Sequence, residues 1–240
     1  MSKSTTVHAG PTPRRRIYLV RHGDVTYFDR QGRPFPPANV PLNDEGRQQA
    51  AATARELAAV PLDRVVVSDL VRAMETAAIL TADRGLTLEP HAQLREIQPG
   101  RLADLPPDAA VKAFLGAFTS EFDRGARFLG GETFGSLADR VLDCFQELLN
   151  DRGWRHLLIV AHGGVNRVIL ANALALGLRG FGVFEQDPCC LNILDVADDG
   201  RFLIRLVNYT PYNTTKLGLE LTTMEKLYLQ YRAGTGAIKP

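Results

Sequence analysis

His156-Leu157-Leu158-Ile159-Val160-Ala161-His162-Gly163-Gly164 reads as a buried strand that stops at a polar side chain and leads into a helix. Upstream, Arg16-Ile17-Tyr18-Leu19-Val20 is a second short apolar run, and it stops in the same way at Arg21-His22-Gly23. Val65-Val66-Val67 is a third, after which Ser68 or Asp69 can cap a helix carrying Leu70, Met74 and Ala77 on one face. Asn43-Asp44-Glu45 opens a helix through Ala59, with Asn43 as the expected N-cap and Pro61 closing it. Glu132 to Leu149 reads as another helix. Leu191 to Val196 and Phe202 to Val207 flank Asp198-Asp199-Gly200, a hairpin signal, and are expected as antiparallel strands at one edge. Thr222-Thr223 followed by Glu225 resembles a capping box, and Leu221, Met224, Leu227 and Tyr228 give that helix an apolar face whose expected role is packing.

Strands separated by helix-length segments predict an α/β fold: a three-layer sandwich with a mostly parallel central sheet, helices on both faces and an antiparallel edge. Residues 14–240 are expected to form a single domain, preceded by a disordered tail over 1–13, where Ser, Thr, Gly and Pro dominate. The stretch 100–131 is expected as a cap insertion, with Pro106-Pro107 at a helix start and Ala113, Phe114, Ala117 and Phe118 as its apolar stripe.

Composition narrows the function before any motif is considered. The chain has 240 residues, 45% hydrophobic and 23% charged, as an ordinary globular protein does. Its net charge of +1 creates no global field for nucleic acid or an anionic membrane, so any anion site must be local. Arg14-Arg15-Arg16 is too short a basic run to change that, and no apolar run approaches the roughly 18 to 20 residues that cross a bilayer. The first residues lack the apolar segment of a secretory signal. Cys144, Cys189 and Cys190 are an odd set without metal-ligand spacing, which points to a reducing cytoplasm. The C-terminal helix fits either its own domain or a partner subunit, so a homodimer stays open.

In open parallel sheets ligands bind beyond the carboxyl ends of the strands. Arg21-His22-Gly23, Ser68-Asp69-Leu70-Val71-Arg72 and His162-Gly163-Gly164 each follow a strand, which brings two histidines and two arginines to one edge. Arginine forks match phosphate oxygens, and the free N–H groups of a helix starting at Gly163-Gly164 add donors. The implied ligand is a phosphoryl group. An imidazole with a free lone pair attacks phosphorus without a separate base, which suits His22, while His162 can hydrogen-bond an equatorial oxygen.

Leu19-Val20-Arg21-His22-Gly23, Ser68-Asp69-Leu70-Val71-Arg72-Ala73-Met74-Glu75-Thr76-Ala77 and Ala161-His162-Gly163-Gly164, in this order, resemble the histidine phosphatase (phosphoglycerate mutase-like) superfamily. The resemblance makes His22 the nucleophile that becomes phosphohistidine, with Arg21, Arg72 and His162 holding the phosphoryl oxygens. Leu94-Arg95-Glu96, with Gly100 downstream, matches the segment that supplies the proton donor, which makes Glu96 the general acid and later the base that activates water. Asp24 is a local rival for that work. With protein cations in the phosphate site, no metal or other cofactor is required.

The chain departs from the pattern after the nucleophile. Many relatives carry Ser or Thr three residues on and Asn three further, where this chain has Val25 and Phe28. Thr26, one position late, could compensate through a loop shift or equally cap the turn, and Arg30 or Arg33 in the longer loop could meet a second anionic group of the substrate. No mutase-specific segment follows the nucleophile. The expected activity is therefore metal-independent hydrolysis of a small-molecule phosphate ester. The alternatives are mutase-type transfer of the same phosphoryl group, or phospholigand binding with little catalysis.

Overall fold

A computed structural model describes residues 13–29, 31, 33–101, 111, 114–116 and 123–234. The strands β1 (Arg15–Arg21), β2 (Arg64–Ser68), β3 (Leu88–His91), β4 (His156–Ala161), β5 (Leu191–Val196) and β6 (Phe202–Tyr209) form one sheet in the order β3-β2-β4-β1-β5-β6. β1, β4, β2 and β3 run parallel, and β5 and β6 add an antiparallel edge beside β1. This is the expected α/β architecture. The α-helices whose bounds fall among the described residues are α1 (Asp44–Leu57), α2 (Val71–Leu80), α3 (Phe134–Asn150), α4 (Gly163–Ala173) and α5 (Thr223–Gly234).

Both faces of the central strands are covered, which explains why their sequences are continuously apolar. Ile17, Leu19, Val66, Leu157 and Ile159 point to one face, against Val141 and Phe145 of α3 and Ile169 of α4. Their neighbours Tyr18, Val20, Val65, Val67, Leu158 and Val160 point to the other, against Leu57 of α1 and Ala73, Ala77 and Leu80 of α2. The register aligns Leu19 with Ile159 and Ile159 with Val66, so β1, β4 and β2 end side by side.

Local signals account for most helix ends. Asn43 accepts the N–H of Gly46 at 2.8 Å, and Thr133 caps α3 through the N–H of Ser136 at 3.0 Å. The capping box of α5 forms, with Glu225 accepting the N–H of Thr222 at 2.7 Å and Thr222 Oγ1 that of Glu225 at 3.2 Å. The hairpin turns at Gly200, whose φ of +83° suits glycine.

Three details differ from the sequence reading. The N-cap of α2 is Leu70, without a side-chain cap: Asp69 is drawn away by Arg95, and Ser68 turns toward His162. β3 goes unforeseen because Leu88-Glu89-Pro90-His91 has neither alternation nor an apolar run; it is an edge strand, where proline is tolerated. Finally, α5 does more than pack, since it lies over the mouth of the cavity at the strand ends.

The expected tail lies outside the described residues except for Pro13, and so does most of the expected insertion, including Pro106, Pro107, Ala113, Ala117 and Phe118. Phe114 is described, and it is buried with Leu129 and Met224. Cys144, Cys189 and Cys190 are free and buried. Among the described residues no helix is long and apolar enough to cross a membrane.

Candidate active site

His22 leaves β1 clamped by backbone on both sides: its N–H donates to Ala161 of β4 at 2.9 Å, and its carbonyl accepts from Cys189 at 3.0 Å. The buried ring donates from Nδ1 to the Gly23 carbonyl at 2.7 Å, which leaves the Nε2 lone pair free of a proton. Arg72, one residue into α2, donates its Nε–H to that Nε2 at 3.2 Å and its Nη1 to Pro37 at 2.6 Å. The loop after β1 can approach α1 because two glycines meet there. A Cβ on Gly23 would lie 2.5 Å from the Gly46 carbonyl oxygen, and one on Gly46 would lie 2.2 Å from that of Asp24.

His162 occupies the N-cap position of α4, with no side-chain capping bond, and stands edge-on to His22, with ring centroids 5.1 Å apart. Its Nε2 meets Ser68 Oγ at 2.8 Å, and Ser68 Oγ also accepts the N–H of Leu70. The pattern is satisfied when Ser68 donates to Nε2, which puts the imidazole proton of His162 on Nδ1. Arg21 donates from Nη1 to the Gln186 carbonyl at 2.5 Å and to Thr223 Oγ1 at 3.2 Å. Arg21 Nε and His162 Nδ1, on the two residues that flank His22, are buried and have no hydrogen-bond partner among the described residues. Unpaired buried donors are unfavourable, and the oxygens of a bound anion relieve them.

The Glu96 carboxylate sits at the amino end of α4. It accepts the Gly164 N–H at 3.1 and 3.2 Å and its own neighbour's, Ile97, at 2.9 Å. This approach needs a glycine, because a Cβ on residue 164 would lie 2.4 Å from Glu96 Oε1. Arg140 of α3 braces the segment from behind, donating to the carbonyls of Gln93, Arg95 and Glu96 and pairing with Glu132 at 2.8 Å.

Both histidines are held well below their ordinary value of 6.5. Burial is the main cause for His22, followed by the Arg72 and Arg21 charges. Burial again leads for His162, followed by Arg72, His22 and Arg21. A low value keeps the His22 lone pair available. It also makes stability depend on pH, because below 6.5 the unfolded chain protonates these imidazoles while the folded protein does not. The contribution is therefore complete above 6.5 and is lost as pH falls below it. Stability against urea is expected to fall by up to about 1.4 kcal/mol per pH unit for each imidazole over that descent, with a shallower slope in His22→Ala. A slope unchanged in that variant would show that other groups carry the dependence.

Of the residues singled out from sequence, Arg21, His22, Arg72, Glu96, His162 and Gly163 surround this edge of the sheet, and of these Arg21 and His22 line the cavity. Thr26 is exposed and does not line the cavity, and Arg33 folds back on Asp29 at 2.7 Å with 76% of its side chain exposed. Arg30 lies outside the described residues. Asp24 lines the cavity but is held by Asn43 Nδ2 at 2.6 Å. Val25 is packed with Val40 and Leu42, and Phe28 lies against Tyr231 of α5, so both departures from the family pattern are taken up in apolar contacts. Sequence reading missed Ser68 as the partner of His162, and Thr223 and Gln186 as partners of Arg21. Ser68 had a local signal, its place at a strand end, whereas the other two had none.

A family model for the histidine phosphatase superfamily, branch 1, matches residues 17–210. The chain belongs to that family. It is 33% identical over 70% of its length to a glucosyl-3-phosphoglycerate phosphatase of Mycolicibacterium vanbaalenii, 78% of which is covered. It is 29% identical over 75% of its length to a 2-carboxy-D-arabinitol-1-phosphatase of Triticum aestivum, and spans only 37% of that larger protein. The solved structure of an Escherichia coli alpha-ribazole-5'-P phosphatase superposes with a TM-score of 0.69 at 26% identity, covering 81% of this chain and 96% of that one. Relatives carrying the phosphoglycerate mutase name occur as well.

Proposed function

We propose that this protein hydrolyses small-molecule phosphate monoesters through a phosphohistidine on His22. The observation that carries the reading is the unprotonated Nε2 of His22, which accepts from Arg72, flanked by the buried Arg21 Nε and His162 Nδ1, which have no partner among the described residues. In the first step Nε2 attacks phosphorus, the bond to the ester oxygen breaks, and protonated Glu96 gives its proton to the leaving alcohol. In the second, Glu96 takes a proton from water, the hydroxide attacks phosphorus, and the P–N bond breaks to release phosphate and restore His22. Arg21, Arg72 and His162 hold the oxygens on which charge builds, and the amino end of α4 at Gly163 adds a favourable field. With two guanidiniums in this role the reaction needs no metal.

Phosphate release from an aryl phosphate and from sugar, glycerate and nucleotide phosphates, measured with EDTA present, tests this. Turnover that survives the chelator supports the reading, and dependence on added metal sinks the metal-independent part. Isomerised phosphoester with little free phosphate would make the protein a mutase, while tight binding without turnover would make it a phospholigand-binding protein. The three free, buried thiols support a cytoplasmic location. Sedimentation decides between a monomer and a homodimer.

A further inference from the structure

The family match ends at residue 210, yet residues beyond it line a cavity that also reaches Arg21 and His22. This space, about 310 Å³, is bounded on one side by Tyr212, Leu219 and the α5 residues Thr223, Lys226, Leu227 and Gln230. α5 presents two stripes at helical spacing. Met224, Tyr228 and Tyr231 anchor it, with Tyr228 and Tyr231 at 6.0 and 5.7 Å from the Phe114 ring and Tyr231 at 6.3 Å from Phe28. Thr223, Lys226 and Gln230 turn to the cavity. The first turn is pinned to the phosphate site, since Thr223 Oγ1 accepts from Arg21 and donates to Glu185 at 2.9 Å.

Lys226 stands out within this wall. It is half-buried, and among the described residues its ammonium has no hydrogen-bond or ion-pair partner, whereas nearby Lys216 is held by Asp187 at 2.9 Å. Arg21, the other basic side chain of the cavity, is committed to Gln186 and Thr223 through Nη1. Asp24 and Glu45, from the β1 loop and α1, also line the space and repel an anion placed beside them, as does Asp187, whose charge Lys216 offsets at 2.9 Å. An anionic group on the alcohol half of a substrate is thereby directed to α5. Arg33, the residue whose sequence position suggested this task, is turned away onto Asp29.

We propose that α5 forms one wall of the substrate cavity beside His22, and that Lys226 selects phosphate monoesters whose alcohol half carries a second anionic group, a carboxylate or a phosphate. This rests on the phosphatase reading of the same site. Its test is binding, which does not need turnover: calorimetry on the His22→Ala protein with 3-phosphoglycerate, glycerol 3-phosphate, serinol phosphate and glycerol 1,3-bisphosphate. These share a three-carbon frame and differ in the charge of the second group. The carboxylate, the bisphosphate or both bind at least about tenfold tighter than neutral glycerol 3-phosphate, and the source of the anion is read from which does. Adding Lys226→Gln brings that preference to within about twofold, and Lys226→Arg keeps most of it. The proposal is overturned if neutral or cationic ligands bind as well as both anionic ones, or if the preference survives Lys226→Gln. Failure of the phosphatase reading looks different: the wild type releases no phosphate from any of the four, whatever the binding preference.

Discussion

Replacing His22 by alanine is expected to lower kcat for phosphate release by about 10⁴-fold or more, the scale on which loss of an obligatory nucleophile is felt. The expectation follows from the arrangement of the ring. Nδ1 is committed to the Gly23 carbonyl, so the lone pair stays on Nε2, and burial beside Arg72 and Arg21 keeps it unprotonated. Rapid quenching of the wild type with radiolabelled substrate should trap acid-labile phosphate on the protein, and none on His22→Ala. Turnover retained in the alanine variant, or label on another residue, would remove His22 from its proposed role. Arg21, Arg72 and His162 are unaltered in this variant, so phosphate should still bind, and binding separates a lost nucleophile from a collapsed site.

The second large effect concerns Glu96 and is tested without touching it. In Gly164→Ala the new methyl group would lie 2.4 Å from Glu96 Oε1, at the free end of a side chain that can swing aside. Alanine inside a helix is favourable by itself, so the fold should hold while the carboxylate is pushed off the amino end of α4. A fall in kcat of about 10² to 10⁴-fold is expected, as for removal of a general acid, and Glu96→Gln should fall by a similar amount. The two changes should not add, because both remove the same proton transfer. The signature is in the substrate: the loss should be largest for esters of poorly acidic alcohols and small for a nitrophenyl ester, whose leaving group needs little protonation. A uniform loss over all esters would assign Glu96 to binding or support instead.

The fold was legible because it is written in short-range terms. The runs around Tyr18, Val66 and Ile159 are apolar at every position, and only a sheet covered on both faces buries them all. The capping signals at Asn43 and at Thr222 with Glu225 operate over three residues, and both formed. β3 escaped notice because an edge strand needs no such pattern. Ser68 shows the limit of local reading. As a residue before a helix it suggested a cap, but its hydroxyl found His162, which is 94 residues away in sequence.

By itself the amino-acid sequence determined the α/β class, the strands whose carboxyl ends carry Arg21, His22, Arg72 and His162, and the phosphoryl chemistry those residue types imply. All of these follow from residue type and spacing within one element and the turn after it. Tertiary structure alone decided the tautomer of His22, the pairing of Ser68 with His162, the turning of Arg33 onto its own loop, and the placement of α5 over the cavity. These depend on which side chains meet across long separations in the chain. Arg33 and Lys226 make the contrast plain, because both are basic residues with no distinguishing local pattern. A neighbouring Asp29 satisfies one at the surface, while the packing of Tyr228 and Tyr231 on Phe114 carries the other into the cavity.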